Sequence, residues 1–184
     1  MFALLIGAAA LAADQPALKA GVFEPPAEAP AISLQASMGG EAALRNYRGK
    51  VVLLGFGFTT CPEVCPTTLG VLAQARKRLG AQADQVQVLY VTVDPERDNP
   101  ERMKAYLRGF DPAFVGLTGA PDQLAAVRAK YGVTAERKTV GNSYSVAHSS
   151  SVYLIDRKGL LRAMMPYGRT PDDYVHDVRV LLSE

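Results

Sequence analysis

An unbroken apolar run, Val51-Val52-Leu53-Leu54-Gly55-Phe56-Gly57-Phe58, leads almost directly into Cys61-Pro62-Glu63-Val64-Cys65-Pro66. A run this short and this apolar suits a strand covered on both faces, the condition of a central strand in a parallel sheet. From Pro66 to Leu79 the residues Leu69, Leu72, Ala73 and Arg76 fall at helical spacing. Pro66 suits a first helical position, where a missing N–H has no partner to lose. The local order is therefore strand, cysteine pair, helix. These are the only two cysteines in the chain, too few for a disulfide-stapled scaffold, so they define a site. A thiol at a helix start lies at the positive end of the helix dipole, which predicts a lowered pKa. Two thiols one turn apart can close a disulfide or hold a soft metal ion.

The remaining elements alternate. Ile32–Gln35 reads as a short strand ahead of a Gly39-Gly40 turn, and Val86–Val93 as a second apolar strand. Asn99-Pro100-Glu101 supplies an N-cap, a first-position proline and a first-turn acid, predicting a helix to about Arg108. Phe114–Leu117 is a short strand. Pro121–Tyr131 is a helix with Leu124, Val127 and Tyr131 on one face, stopped by Gly132. Val152–Ile155 and Leu160–Met165 flank the turn residues Asp156-Arg157-Lys158-Gly159 and read as a hairpin. Thr170-Pro171-Asp172-Asp173 is a capping box that opens a last helix with Tyr174, Val178 and Leu181 toward the core. Strands alternating with helices, closed by a hairpin and a helix, predict a three-layer α/β domain. A dithiol at the head of the first major helix selects the thioredoxin-like version, a central mixed sheet flanked by helices.

With 184 residues, 48% of them hydrophobic, the chain is large enough for one real core. We find no repeat and no second domain. The formal charge of +2 is spread along the chain, and no basic stripe with interleaved aromatics appears, so no nucleic-acid partner is expected. The basic cluster Arg76-Lys77-Arg78 is read as the last turn of a helix, where cations complement the dipole. Residues 1–13 are apolar, too short to cross a bilayer as a helix, and suit the core of a signal peptide or the remnant of a membrane anchor. Ala10-Leu11-Ala12 offers a small-residue cleavage pattern, although no Lys or Arg precedes the run. Residues 14–31, with Pro16, Pro25, Pro26 and Pro30, read as a linker, an N-terminal extension to a domain spanning 32–184. Export fits the cysteine pair, because an oxidising compartment makes its redox poise matter.

Three residues separate Cys61 from Cys65, against two in thioredoxin-like oxidoreductases, and spacing of this kind sets thiol pKa and potential. A thiol peroxidase needs Thr or Ser three residues before its reactive cysteine, and Phe58 and Pro62 stand there instead. A third ligand is available from His148, in Ser145-Val146-Ala147-His148-Ser149-Ser150-Ser151, on the loop expected to fold over the dithiol. Two thiolates and an imidazole make a soft, low-coordination donor set that favours Cu(I) and also accepts Cu(II). Zinc fits the same donors, yet a structural zinc site closes with a fourth protein ligand, and none is evident. Glu63 is read as tuning the thiols or facing a partner. His176 belongs to a solvated helix face. Met164 and Met165 belong to core and flank. Asp94-Pro95-Glu96-Arg97-Asp98 follows the second strand and should emerge at the site's edge of the sheet. There Asp94 is expected to tune the site or join a docking surface, and Glu96 to Asp98 to form a turn and helix lead-in.

Three of these segments carry a family resemblance. Phe56-Gly57-Phe58-Thr59-Thr60-Cys61-Pro62-Glu63-Val64-Cys65-Pro66-Thr67-Thr68-Leu69 resembles the signature of the Sco/SenC copper chaperones. Val91 to Asp98 resembles that family's second motif, and His148 ahead of Ser151-Val152-Tyr153-Leu154-Ile155-Asp156 its metal-binding histidine. Thr60 and Glu63 stand where many members carry His and Asp, flanking the donor set. The resemblance implies an exported or membrane-anchored domain, periplasmic or on the outer face of the cytoplasmic membrane. It implies metal ligands Cys61, Cys65 and His148, copper as Cu(I) and/or Cu(II), and delivery to the CuA centre of cytochrome c oxidase subunit II, with another exported copper carrier as a further partner. The alternative use of the same cysteines is thiol–disulfide exchange, with Cys61 and Cys65 as a redox pair that reduces the acceptor's cysteines.

Overall fold

The computed structural model describes residues 16–184. In chain order the strands are β1 (Gly21–Glu28), β2 (Ser33–Ala36), β3 (Glu41–Ala43), β4 (Val51–Gly57), β5 (Val86–Thr92), β6 (Val115–Thr118), β7 (Ala135–Val140), β8 (Ser143–His148), β9 (Val152–Ile155) and β10 (Leu160–Met165). The helices are α1 (Val64–Leu79), α2 (Pro100–Arg108), α3 (Pro121–Lys130) and α4 (Pro171–Ser183). Eight strands form one mixed sheet in the order β1-β10-β9-β4-β5-β6-β2-β3, while β7 and β8 form a separate two-stranded sheet.

The apolar run becomes β4, and every residue of it is buried. It sits between β5, paired in parallel, and β9, paired antiparallel. Side chains alternate across a strand. Phe56 points to one face, where it meets Tyr131 just past α3 at a ring distance of 5.7 Å and Tyr153 of β9 at 6.0 Å. Gly55 and Gly57 open to the other face, toward Tyr90 and the first turn of α1. Leu69 and Leu72 of α1 are fully buried, as are Val178 and Leu181 of α4, and these two helices lie together. This is the thioredoxin-like arrangement expected from the alternation of elements. No helix among the described residues is long and apolar enough to cross a membrane.

Several boundaries shift for physical reasons. The first helix starts at Val64, so Pro66 occupies its third position, still within the first turn, where the N–H that proline lacks would have no helical partner. The cap of α2 falls where expected, with the Asn99 side chain accepting from the Arg102 N–H at 2.8 Å. Arg76, Lys77 and Arg78 fall in the last turn of α1 as expected, and Arg76 is in addition buried, ion-paired to Asp111 at 2.9 Å and donating to the Ala83 carbonyl at 2.6 Å.

The Pro-rich stretch expected to be a linker carries an edge strand instead. β1 pairs antiparallel with β10, with its register broken between Val22 and Ala27, the span that holds Pro25 and Pro26. A sheet edge tolerates proline because one row of its N–H groups has no ladder partner. Ahead of it, the Lys19 and Ala20 N–H groups donate to the buried Asp177 carboxylate at 2.8 and 2.9 Å. The expected leader, residues 1–13, lies outside the described residues.

Candidate metal centre

The cysteine pair occupies the exit of β4. A tight turn after Phe58 brings the Cys61 N–H to the Phe58 carbonyl at 3.3 Å. Asp98, fully buried, pins this turn by accepting from the Thr59 N–H at 3.0 Å, the Thr59 hydroxyl at 2.6 Å and the Thr92 hydroxyl at 2.8 Å. Asp98 therefore does more than lead into a helix; it fixes the loop that presents Cys61. Cys61 is half-buried just ahead of α1, and Cys65 is buried in the first helical turn. The backbone N–H of Cys65 donates to the Cys61 sulfur at 3.4 Å, so the positive helix end acts on Cys61 through a direct contact.

For Cys65 the expectation of a lowered pKa fails. Burial pushes this thiol up to about 12, while a hydrogen bond from the Tyr90 hydroxyl works in the opposite direction. The magnitudes explain the outcome. A helix terminus contributes up to about 2 kcal/mol, on the order of 1.5 pKa units, whereas burial raises an acid by as much as roughly 3–5 units. Desolvation wins at a residue with 2% exposure.

His148 arrives from the far end of the chain. It is the last residue of β8 rather than part of a loop, and its Nε2 lies 3.4 Å from the Cys65 sulfur. Its Nδ1 sits 2.7 Å from the Ser149 carbonyl oxygen. A carbonyl only accepts, so Nδ1 carries the proton and Nε2 turns an unprotonated lone pair toward the sulfurs. Burial lowers the pKa of this imidazole, which favours the neutral, ligating form at pH 7. The Phe58 ring meets the imidazole edge-on at 5.7 Å. The donor atoms of Cys61, Cys65 and His148 all lie within 4.8 Å of one another. Across a sequence gap of 83 residues, the fold gathers a donor set of two sulfurs and one imidazole.

The other candidates stay apart. Glu63 is exposed at the start of α1 and makes no side-chain cap. His176 pairs with Asp177 at 2.9 Å on α4. Met165 is buried in the core and Met164 is partly exposed on the flank. Asp94 is buried, and its carboxylate engages Arg97 and the Tyr144 hydroxyl instead of the thiols. Sequence reasoning missed two residues beneath the site, Tyr90 and Gly57. A Cβ at Gly57 would collide with the Tyr90 hydroxyl and come within 2.7 Å of the Cys65 sulfur. The Gly-Phe-Gly pattern of β4 was the available signal, since glycine inside a buried strand marks close approach.

A thioredoxin-like domain with a Cys–Cys–His cluster at the head of its first long helix defines the class. The SCO1/SenC family model matches residues 24–183, and the chain belongs to that family. It is 38% identical over 138 residues to the mitochondrial SCO2 homolog of Mus musculus, an alignment covering 73% of this chain and 54% of that protein. The chain thus spans about half the length of the curated relatives it matches. Among solved structures, copper-bound ScoI of Bradyrhizobium japonicum superposes with a TM-score of 0.79 at 35% identity, covering 85% of this chain and all of that one. BsSco, described as having a disulfide switch and as a member of the Sco family of cytochrome c oxidase assembly proteins, aligns with a TM-score of 0.69 at 26% identity, covering 86% and 95%.

Proposed function

We propose that this chain is a copper-binding metallochaperone that carries copper as cargo on Cys61, Cys65 and His148 and hands it to the CuA centre of cytochrome c oxidase. The observation that carries the reading is the convergence of two sulfurs and an unprotonated Nε2 within 4.8 Å. Soft thiolates with one imidazole suit Cu(I) and accept Cu(II). Three donors leave the shell open, and Cys61, only half-buried, gives an incoming thiol of the acceptor a place to begin ligand exchange. Subunit II is the acceptor this reading names, and another exported copper carrier is the source. Cu(I) loading must displace the Cys65 proton, because only the deprotonated sulfur ligates. The domain belongs, on this reading, outside the cytoplasm, in the periplasm or on the outer face of the membrane.

Thiol–disulfide exchange by the same cysteines is the second reading, favoured by their proximity as free thiols and by the resemblance to a Sco protein with a disulfide switch. Cys61, the more exposed sulfur, would attack. Burial pushes the Cys65 thiol up to about 12, and this sulfur must lose its proton both to resolve a mixed disulfide and to ligate copper, so the shift does not choose between the two roles. The deciding experiment is an anaerobic Cu(I) titration against a competing chelator. Removing the third ligand in His148→Ala is expected to weaken binding by about tenfold or more while the dithiol stays reducible. Unchanged affinity in that variant would transfer the assignment to the redox reading.

A further inference from the structure

The imidazole is delivered by a hairpin that ought to be insecure. Among the described residues β7 and β8 pair only with each other, from Ala135–His148 to Val140–Ser143, and an isolated two-stranded hairpin is marginal in water. All of β7 beyond Ala135 is exposed. Something outside the hairpin must hold it over the thiols.

Tyr144 supplies the hold. Its ring lies between two guanidinium groups, Arg97 at 3.9 Å on one side and Arg137 at 3.8 Å on the other. Each guanidinium is paired to an acid of the turn after β5: Arg97 to Asp94, and Arg137 to Glu96 at 2.6 Å. The Tyr144 hydroxyl donates to Asp94 at 2.8 Å, and Arg97 donates to the Tyr144 backbone carbonyl at 3.1 Å. Arg97 also stands 5.7 Å from the Phe58 ring, the same ring that borders His148. Residues two apart on a strand share a face, so Tyr144, Val146 and His148 point the same way. Val146 between them is buried. Seating Tyr144 on the turn therefore orients the face that carries the imidazole.

We propose that the Arg97–Tyr144–Arg137 stack, anchored by Asp94 and Glu96, is the device that positions His148 over the cysteine pair. The proposal rests on the copper reading above and adds positioning residues to it. These side chains do not ligate; they act through the hairpin. Planar guanidinium over an aromatic face is the geometry that gives cation–π attraction, and an outer-shell group that orients a ligand commonly changes metal affinity about 10–100-fold.

The test uses the full chain with Cu(I) and a competing chelator under anaerobic conditions, with amide hydrogen exchange of the copper-free protein alongside. Tyr144→Ala is expected to weaken Cu(I) binding about tenfold, and to speed exchange of the amides of 143–148 by a similar factor. Tyr144→Phe keeps the stacked ring and loses only the hydroxyl, so it is expected to stay within about threefold of the wild type on both readings. Combined with His148→Ala, Tyr144→Ala should add nothing further, because residues acting through one group are not additive. Should Tyr144→Ala fail to fold, Arg137→Ala, at a half-exposed position, removes the outer cation alone and is expected to cost about twofold to threefold in affinity. If His148→Ala weakens copper binding while Tyr144→Ala and Arg137→Ala do not, the positioning role is wrong and the ligand reading survives. If His148→Ala has no effect, the ligand reading falls and the stack's role falls with it.

Discussion

The two halves of the candidate centre are built to different standards. The cysteine half stands on β4, buried at every residue and held by strands on both sides, with α1 covering it. The histidine half stands on a hairpin that joins no other strand among the described residues and is exposed along most of β7. Rigid, many-sided support makes opening cost a large share of the global stability, whereas few buried contacts make it cheap. The contrast teaches that such a centre divides its tasks. Two sulfurs stand on the core, and the contrast predicts that the imidazole opposite them opens at less than the cost of unfolding the domain. On the proposed copper-carrier reading, that division would ease release of the metal.

The most severe way to test the rigid half is to fill the space beneath it. Gly57→Ala puts a methyl group where the Tyr90 hydroxyl lies and 2.7 Å from the Cys65 sulfur. Tyr90 is 2% exposed and has nowhere to retreat. Overpacking of this kind costs about 3 kcal/mol, so a chemical denaturation curve should show that loss, together with weakened Cu(I) binding. Wild-type stability in this variant would mean that the thiol floor yields as readily as the hairpin, and the contrast would be lost.

Next in size is a pH effect that belongs to the cysteine half. Burial holds the Cys65 thiol protonated up to about pH 12, against 9.0 for an ordinary cysteine. If Cys65 ligates copper as proposed, binding displaces that proton, so apparent affinity should rise with pH, by about tenfold per unit for this thiol alone below its pKa. In the copper-free protein the sign reverses. Between pH 9.0 and about 12 the folded chain holds a proton that the unfolded chain has lost, so stability falls as pH rises through that window. Chelator competition at several pH values measures the first effect. A flat profile would show that Cys65 is already a thiolate in the folded chain.

What was legible in the sequence follows the same division. The core half announces itself through strong local signals: an apolar run, a helical period, and the Asn99-Pro100 cap that the structure reproduces residue for residue. The convergence of Cys61, Cys65 and His148 was also foreseeable, because chain order and sheet topology put both segments at one end of the sheet. The hairpin was not foreseen. Its strand β7 reads Glu136-Arg137-Lys138-Thr139, polar enough to pass for a loop, although Gly141-Asn142 beside the alternating Tyr144, Val146 and His148 was a usable turn signal. The long-range polar contacts were beyond any local pattern. Nothing in the neighbours of Asp94 says that its partner is Tyr144, 50 positions away. Likewise the Cys65 pKa turns on burial, a property of the fold, and the helix-end argument alone points the wrong way.

The smallest effect sharpens the comparison from the hairpin's side. Gly141 forms the first of two turn residues between Val140 and Ser143, with φ of +57° and no atom within 4 Å of a Cβ built there. Gly at this place suits a two-residue hairpin turn of the primed type. Alanine meets no steric obstacle, so Gly141→Ala isolates the backbone cost of a positive φ, about 1 kcal/mol. That cost should appear only where the turn matters. Amide exchange across 135–148 is expected to quicken about fivefold, while the global unfolding midpoint stays put, because the hairpin opens below the energy of the whole domain. A midpoint that drops as Gly57→Ala makes it drop would show that hairpin and core unfold as one unit. His148 could then leave the sulfurs only when the domain itself gives way, and stepwise release of cargo would have to begin from the exposed side of Cys61.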